Sequence, residues 1–330
     1  GCSGWPSARR LALEPKGQDP ATTGPIIDTH SLCRDFKKTH AVVDLDLTVQ
    51  PGELFGLVGP DGAGKTTTLR LLAGLLDITD GEATVAGFDL GSQAESLKPH
   101  VGYMAQQFSL YGELSVVENL TFFAEVFDVS PGDISQRSER LLSFAGLEAF
   151  RDRRAAHLSG GMQKKLALAC TLIHEPSLLL LDEPTTGVDP VSRREFWDIL
   201  TDLYTQGTTI VVSTPYMDEA DRCSRVGLMY QGRLVKVDTP KAIRTPLEGR
   251  VIELQPDDWQ AARAIAVDLP GVEEVQTYGE TLHLLVDSGQ RRLPEIEAQL
   301  RQRKIGFSRA RVAPARMEEA FISIISRMEG

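Results

Sequence analysis

Gly59-Pro60-Asp61-Gly62-Ala63-Gly64-Lys65-Thr66-Thr67 follows directly on the apolar run Leu54 to Val58 and precedes the helix-forming run Thr67 to Leu72. Two glycines five apart, then Lys, then a hydroxyl residue, is the pattern of a phosphate-binding loop. Gly62 and Gly64 allow backbone angles that other residues resist, so that successive N–H groups turn inward around a polyphosphate. Lys65 is expected to reach the outer phosphates and Thr66 to place its hydroxyl on Mg²⁺. The helix beginning near Gly64 directs its positive end at the same anion. A strand, this loop and a helix predict an α/β fold.

A second stretch completes the reading. Leu178-Leu179-Leu180-Leu181-Asp182-Glu183 is a short apolar run ending in two carboxylates, a buried strand that delivers acids to the rim of a parallel sheet. Asp182 is placed for the Mg²⁺ shell, and Glu183, facing the other way, for polarising a water. A pair of acids capping the next helix is the plainer alternative. Upstream, Leu158-Ser159-Gly160-Gly161-Met162-Gln163 precedes a helix-forming run from Lys164 to Ile173. Ser159, Gly160 and Gly161 there form an anion-binding helix end, with exposed N–H groups, one hydroxyl and no bulk.

Around these motifs the chain reads as strands from Ile26, from Ala41 to Val49, from Gly81 to Gly87 and from Val101 to Ala105, the last ending at Gln106-Gln107. Phe36 fits either an aromatic stacked on an adenine face or a core aromatic. From Glu113 to His157 the pattern is helical, with Val116, Leu120, Phe123 and Ala124 on one face and Leu141, Leu142, Phe144 and Ala145 marking a second helix. This block, about 108–157, is expected to be an inserted helical subdomain. Val226 to Tyr230 and Arg233 to Val237 predict a hairpin that closes the core, and Thr239-Pro240 opens a helix.

Beyond Pro246 the pattern changes: strand at 250–254, helix at 259–267, a hairpin of 272–278 and 281–286 around Gly279, helix at 293–302 and strand at 305–312. That order predicts a small ferredoxin-like α+β domain over 246–330. A final helix aligns Met317, Phe321, Ile324, Ile325 and Met328 on one side.

Composition sets the frame. The 330 residues are 42% hydrophobic and 25% charged, which suits a globular chain with one large and one smaller domain. The net charge of −11 argues against a broad nucleic-acid or anionic-membrane surface. No apolar run approaches the ~20 residues that span a bilayer, so a membrane role is expected to come through a partner. Four scattered cysteines and six histidines lack metal-ligand spacing, as expected of reduced thiols. Residues 1–25, rich in Gly, Pro, Ser and Thr and without an initial Met, are expected to be a flexible tail or linker, or to belong to a longer polypeptide.

In their order, the phosphate loop, Gln106, Leu158-Ser159-Gly160-Gly161, the acid pair with Pro184 and Gly187-Val188-Asp189 resemble the ATP-binding-cassette ATPases over about residues 26 to 240, and among them the ATPase subunits of ABC-2 type exporters of the multidrug, antibiotic and lipid class. The resemblance implies a P-loop NTPase with a RecA-like core, an antiparallel β subdomain and the helical insertion. It implies adenine stacking by Phe36, a Walker A loop from Gly59 to Thr67, and a Q-loop glutamine at Gln106 that contacts Mg²⁺ and senses the membrane subunit. It also implies a signature at Ser159, Gly160 and Gly161 for the γ-phosphate held by the opposite monomer, a Walker B acid at Asp182, a general base at Glu183 and a D-loop at Asp189. ATP and Mg²⁺ are the implied cofactors. The implied partners are ABC-2 type transmembrane permease subunits and a second nucleotide-binding domain, identical, different or in tandem, with this chain resembling the first cassette of a tandem or heterodimeric ATPase, and no nucleic acid. The implied place is the cytoplasmic face of the inner membrane. The C-terminal domain resembles a dimerisation or regulatory element, a packing unit being the alternative.

Three departures stand out. Asp61 replaces the usual Asn and Met162 replaces a frequent Gln. More consequential is Thr214-Pro215-Tyr216-Met217-Asp218-Glu219, where the family has Ser/Thr-His-x-x-Asp-Glu. Pro215 has neither a side-chain donor nor an N–H, and slow hydrolysis is the expectation. A catalytically weak nucleotide-binding module and a cassette protein acting on ribosomes or DNA are the competing readings, the last disfavoured by the lack of heptad arms and of a basic surface.

Overall fold

The computed structural model describes residues 24–107 and 110–329; most of the expected tail, residues 1–23, lies outside them, as do Phe108, Ser109 and Gly330. In chain order the elements are β1 (Ile27–Phe36), β2 (Thr39–Val49), β3 (Leu54–Val58), α1 (Lys65–Leu72), β4 (Asp80–Val85), β5 (Phe88–Asp89), α2 (Ala94–Leu97) and β6 (Val101–Met104). Two helices, α3 (Val116–Val126) and α4 (Pro131–Ala145), intervene before α5 (Gly160–Leu172), β7 (Leu178–Asp182), α6 (Pro190–Thr205), β8 (Thr209–Thr214), β9 (Arg225–Tyr230) and β10 (Arg233–Asp238). The chain divides into two compact units between Val237 and Asp238, a few residues before the change of pattern at Pro246.

The first unit has two sheets. β3, β8, β7 and β6 run parallel, β9 also pairs parallel with β3, and the full order is β10-β9-β3-β8-β7-β6. Every residue of β3, β7 and β8 is buried; for β3 and β7 this explains why they read as short apolar runs rather than alternating ones. The second sheet, β2-β1-β4-β5, is antiparallel. Ile27, Leu32 and Val42 from it pack with Leu69, Leu72, Leu178 and Val211 in one core, with α1 between the sheets. The β9–β10 hairpin turns on Gln231 and Gly232, both at positive φ, the geometry that matches strand twist in a two-residue turn.

The helical insertion is clearly bounded. Ser115 and Glu118 form a capping box at the start of α3, and Gly146 ends α4 in the left-handed conformation. Leu120 and Ala124 of α3 and Leu141 and Leu142 of α4 are buried, whereas Phe123 and Phe144 are half-buried flanks. The sequence reading passed over α6, although Asp189 as N-cap and Pro190 at the first helical position announce it.

The second unit holds α7 (Pro240–Arg244), β11 (Val251–Pro256), α8 (Trp259–Ala266), β12 (Val272–Tyr278), β13 (Thr281–Val286), α9 (Gly289–Gln302), β14 (Phe307–Ala313) and α10 (Met317–Glu329). Its antiparallel sheet has the order β12-β13-β11-β14, and the β-α-β-β-α-β succession is ferredoxin-like. Ile252, Leu254, Leu282 and Leu284 pack on Ala262, Ile265, Ile296 and Leu300 of α8 and α9. His283 therefore points to the opposite face, where its Nδ1 lies 2.6 Å from the buried Glu319 of α10. α9 begins four residues before the expected start, with Pro294 inside the helix. Of the side of α10 expected to be apolar, Met317 and Ile325 are buried and Phe321 and Ile324 half-buried, while Met328 is exposed; Glu319, Ala320 and Ser323 are buried as well.

Candidate active site

The site is built at the C-terminal rim of the parallel sheet. The loop after β3 turns through Gly62 at φ 77° and Gly64 at φ 103°, conformations that side-chain-bearing residues rarely adopt. Gly64 is also demanded by packing, since a Cβ there would lie 2.4 Å from the Ala41 carbonyl oxygen. Gly59 is similar, 2.2 Å from the Met229 carbonyl oxygen. The loop thus sits against β2 and β9, contacts that no local pattern announces. Asp61 and Gly62 are exposed, Pro60, Thr66 and Thr67 half-buried, and Ala63 and Lys65 buried.

Lys65, 3% exposed, donates from Nζ to the carbonyl oxygens of Gly59 and Pro60 at 2.9 and 3.0 Å and lies 3.2 Å from Glu183 Oε1. Thr66 Oγ1 donates to Asp182 Oδ1 at 3.0 Å, and Ser213 Oγ, on β8, donates to the same oxygen at 2.7 Å. Tyr103 OH donates to Asp182 Oδ2 at 3.4 Å; burial pushes the Tyr103 phenol up, so it stays a donor. Gln106 Nε2 donates to Glu183 Oε2 at 3.0 Å, and Thr186 Oγ1 to the same oxygen at 3.2 Å.

Glu183 has φ 46°, a left-handed angle that costs a non-glycine residue about 1–3 kcal/mol. Its N–H is held by the Ser213 carbonyl at 3.2 Å and Ser213 Oγ at 3.0 Å. This backbone turn, and not strand alternation, sends the carboxylate toward Lys65. Lys65, Thr66, Gln106, Asp182 and Glu183 are therefore one cluster.

The remaining candidates lie apart from it. Ser159 caps α5 by accepting from Met162 N at 3.3 Å, with Ser159 and Gly160 exposed and Gly161 buried. A Cβ on Gly161 would stand 2.4 Å from Ser192 Oγ, whereas one on Gly160 would meet nothing. Asp189 caps α6, accepting from Val191 N and Ser192 N at 3.1 and 3.0 Å, and the bonds from Ser192 hold its carboxyl below the usual range. Phe36 is 41% exposed with the Arg34 guanidinium 4.7 Å from its ring centre, which removes the core alternative.

Pro215 follows β8 directly. The preceding Thr214 carbonyl accepts from Gly59 N at 3.3 Å, and Ser213 lies opposite Asp182 in the sheet, so position 215 emerges between the loop and the acids. The turn behind it is anchored by Glu219, 2% exposed, which accepts from Thr185 Oγ1, Thr214 Oγ1 and Arg193 Nε at 2.8, 2.5 and 2.6 Å. Sequence reading missed Arg193, Ser213 and Thr214 as supports of the site, because their roles depend on partners brought together by the sheet.

A hydroxyl beside a carboxylate is a hard-oxygen pair suited to Mg²⁺, which keeps waters and shares phosphate oxygens. Among the described residues no group of three or more His, Cys, Asp or Glu gathers that could hold a metal ion alone.

Comparison with known proteins agrees with this geometry. A family model described as ABC transporter matches residues 42–186. The Nod factor export ATP-binding protein I of Cupriavidus metallidurans is 37% identical over 87% of this chain and 93% of its own. The probable multidrug ABC transporter ATP-binding protein YbhF of Escherichia coli is 45% identical over 74% of this chain. The match takes in 43% of YbhF, so the chain spans less than half that relative's length. The solved structure of cbiO1 from Clostridium perfringens, part of the ABC transporter complex cbiONQ, superposes with a TM-score of 0.63 at 25% identity, over 75% of this chain and 96% of that one. With a phosphate loop, an acid pair and a relative matched along most of its length, this chain belongs to the ABC transporter family.

Proposed function

We propose that the chain binds and hydrolyses ATP to energise an ABC-2 type exporter through nucleotide-driven dimerisation. The observation that carries this reading is the gathering of Lys65, Thr66, Gln106, Asp182 and Glu183 around one loop. Loop N–H groups from Gly62 to Thr66 cradle the phosphates, and Lys65 exchanges carbonyl partners for phosphate oxygens. Thr66, Asp182 and Gln106 would hold Mg²⁺, which when bound would neutralise phosphate charge. Glu183 accepts a proton from the attacking water, and Phe36 stacks on the base. Ser159, Gly160 and Gly161 serve the nucleotide of a second cassette; their bonds run to their own helix and leave Ser159 and Gly160 exposed, which supports that reading. Asp189 belongs to the same face through the packing of Gly161 against Ser192.

The export role draws on the names of the relatives in Cupriavidus metallidurans and Escherichia coli. We place permease subunits beside this chain, which sits at the cytoplasmic face of the inner membrane without nucleic acid as partner; no helix among the described residues is long and apolar enough to cross a membrane. The ferredoxin-like unit from about residue 246 serves dimerisation or regulation.

Pro215 favours a second reading within the same class, a cassette that binds ATP and turns it over slowly. Loss of one transition-state donor costs about 3–4 kcal/mol, or roughly a thousandfold in rate. ATPase rates of the wild type, Pro215→His and Glu183→Gln decide between them. Slow wild-type turnover raised on the order of a hundredfold or more by His, and abolished by Gln, supports a degenerate site. Brisk wild-type turnover without gain from His removes it.

A further inference from the structure

Gly160 and Lys164 are four residues apart on α5, hence on one face of the helix, and both line a cleft of about 370 Å³ with Gln106, Gln107, Thr186 and Val188. Lys164 Nζ donates to the Gln106 backbone carbonyl at 2.7 Å. From the other end of the same residue, Gln106 Nε2 donates to Glu183 Oε2 at 3.0 Å. Two bonds in series therefore run from the helix that starts at Ser159 to the carboxylate beside Lys65. Lys165, next in the chain, turns away to Glu195 Oε2 of α6 at 2.5 Å, so the two adjacent lysines face different partners. Burial pushes the Lys164 ammonium down while Asp182 and Glu183 pull it back up, which means that this charge feels both acids.

We propose that Lys164 is a positioning residue: by gripping the Gln106 carbonyl it fixes the backbone at the end of β6 so that the Gln106 amide stays on Glu183. The part of this inference that concerns turnover rests on the ATPase reading above; the part that concerns Gln106 does not. An ammonium suits the task because a charged donor binds a carbonyl more strongly than a neutral one, and its flexible stem reaches across the cleft.

Lys164→Met keeps the stem and removes the donor; Lys164→Arg restores a charged donor. The Met variant is expected to lower kcat about ten- to a hundredfold, the range for losing a charge-assisted hydrogen bond, with KM for ATP and the melting temperature unchanged, and Arg is expected to recover most of the rate. In NMR of protein carrying isotope-labelled glutamine, the Gln106 side-chain amide, assigned with Gln106→Ala, should move toward the position of a free amide in Lys164→Met and return in Lys164→Arg. An unmoved Gln106 amide in Lys164→Met overturns the proposal, as does wild-type turnover in that variant. A rate loss that tracks a fall in melting temperature and that Arg does not repair assigns Lys164 to plain packing and also overturns it. If the wild type neither binds nor hydrolyses ATP, the ATPase reading fails while the amide resonance still decides the role of Lys164.

Discussion

Gly160→Ala and Gly161→Ala, one residue apart at the same helix end, should behave oppositely. A methyl on Gly161 would lie 2.4 Å from Ser192 Oγ and 2.5 Å from Ser192 Cβ, far inside van der Waals contact. The Ser192 Cβ cannot swing aside as a long side chain would, so α5 and α6 must separate, at about 1–3 kcal/mol for overpacking. Any gain of Ala over Gly in this first helical turn is shared by both positions and leaves their difference unchanged. A methyl on Gly160 meets no atom. The two variants should therefore differ by about 2 kcal/mol, a gap in melting temperature on the order of 4–8 °C for a unit of this size. Ser192→Gly removes both atoms that the new methyl strikes, so a double-mutant cycle of Gly161→Ala with Ser192→Gly should show a favourable coupling of ~1 kcal/mol or more. Calorimetry of the four proteins measures this. Equal melting temperatures for the two Ala variants, or additivity in the cycle, would refute the packing argument. Gly160→Ala should lower the ATPase rate without lowering stability, since its methyl projects from the exposed surface assigned to a second cassette's nucleotide.

The other outcomes are more local. Glu219→Ala should destabilise the first unit by roughly 3 kcal/mol, because Arg193 and the hydroxyls of Thr185 and Thr214 lose a buried acceptor; urea midpoints check this, with Glu219→Gln expected to lose less. In the second unit the Arg292 side chain holds the Asp287 carboxyl down to about 2 from an ordinary 3.8. Its folded value is depressed, so its stabilisation is present above the ordinary value and disappears as pH falls from about 3.8 through about 2. Asp287→Asn should flatten that part of the acid unfolding profile followed by circular dichroism. An unchanged profile would show that the Arg292 pairing contributes nothing to folding.

The strands that carry the phosphate loop and the acid pair were legible because each is apolar for a single physical reason: β3 and β7 are covered on both faces and leave no alternation to misread. The second unit was legible because its strands and helices follow one another in a pattern set by local periodicity. Its boundary was less so: α7 packs with α10, some seventy residues further on, and no composition shift marks that. The apolar stripe expected on α10 is buried only in part, since Glu319 is held inward by His283 from β13. A buried polar pair of this kind overrides a hydrophobic pattern because leaving either partner unmatched costs more than exposing one Met.

Local sequence by itself determined the phosphate loop, the strand that feeds it, the paired acids and the helix end at Ser159, since each depends on residue types within a few positions and on spacing along one element. What only the tertiary structure decided is how they meet. The left-handed turn at Glu183 is held by Ser213, thirty residues away. Gly59 and Gly64 are tight against Met229 and Ala41, Gly161 against Ser192, and Gln106 is held by Lys164. These are close approaches between segments whose separation along the chain carries no periodic signal. They exist because a parallel sheet brings the ends of distant strands to one edge, where a hydrogen bond or a missing methyl group sets the geometry.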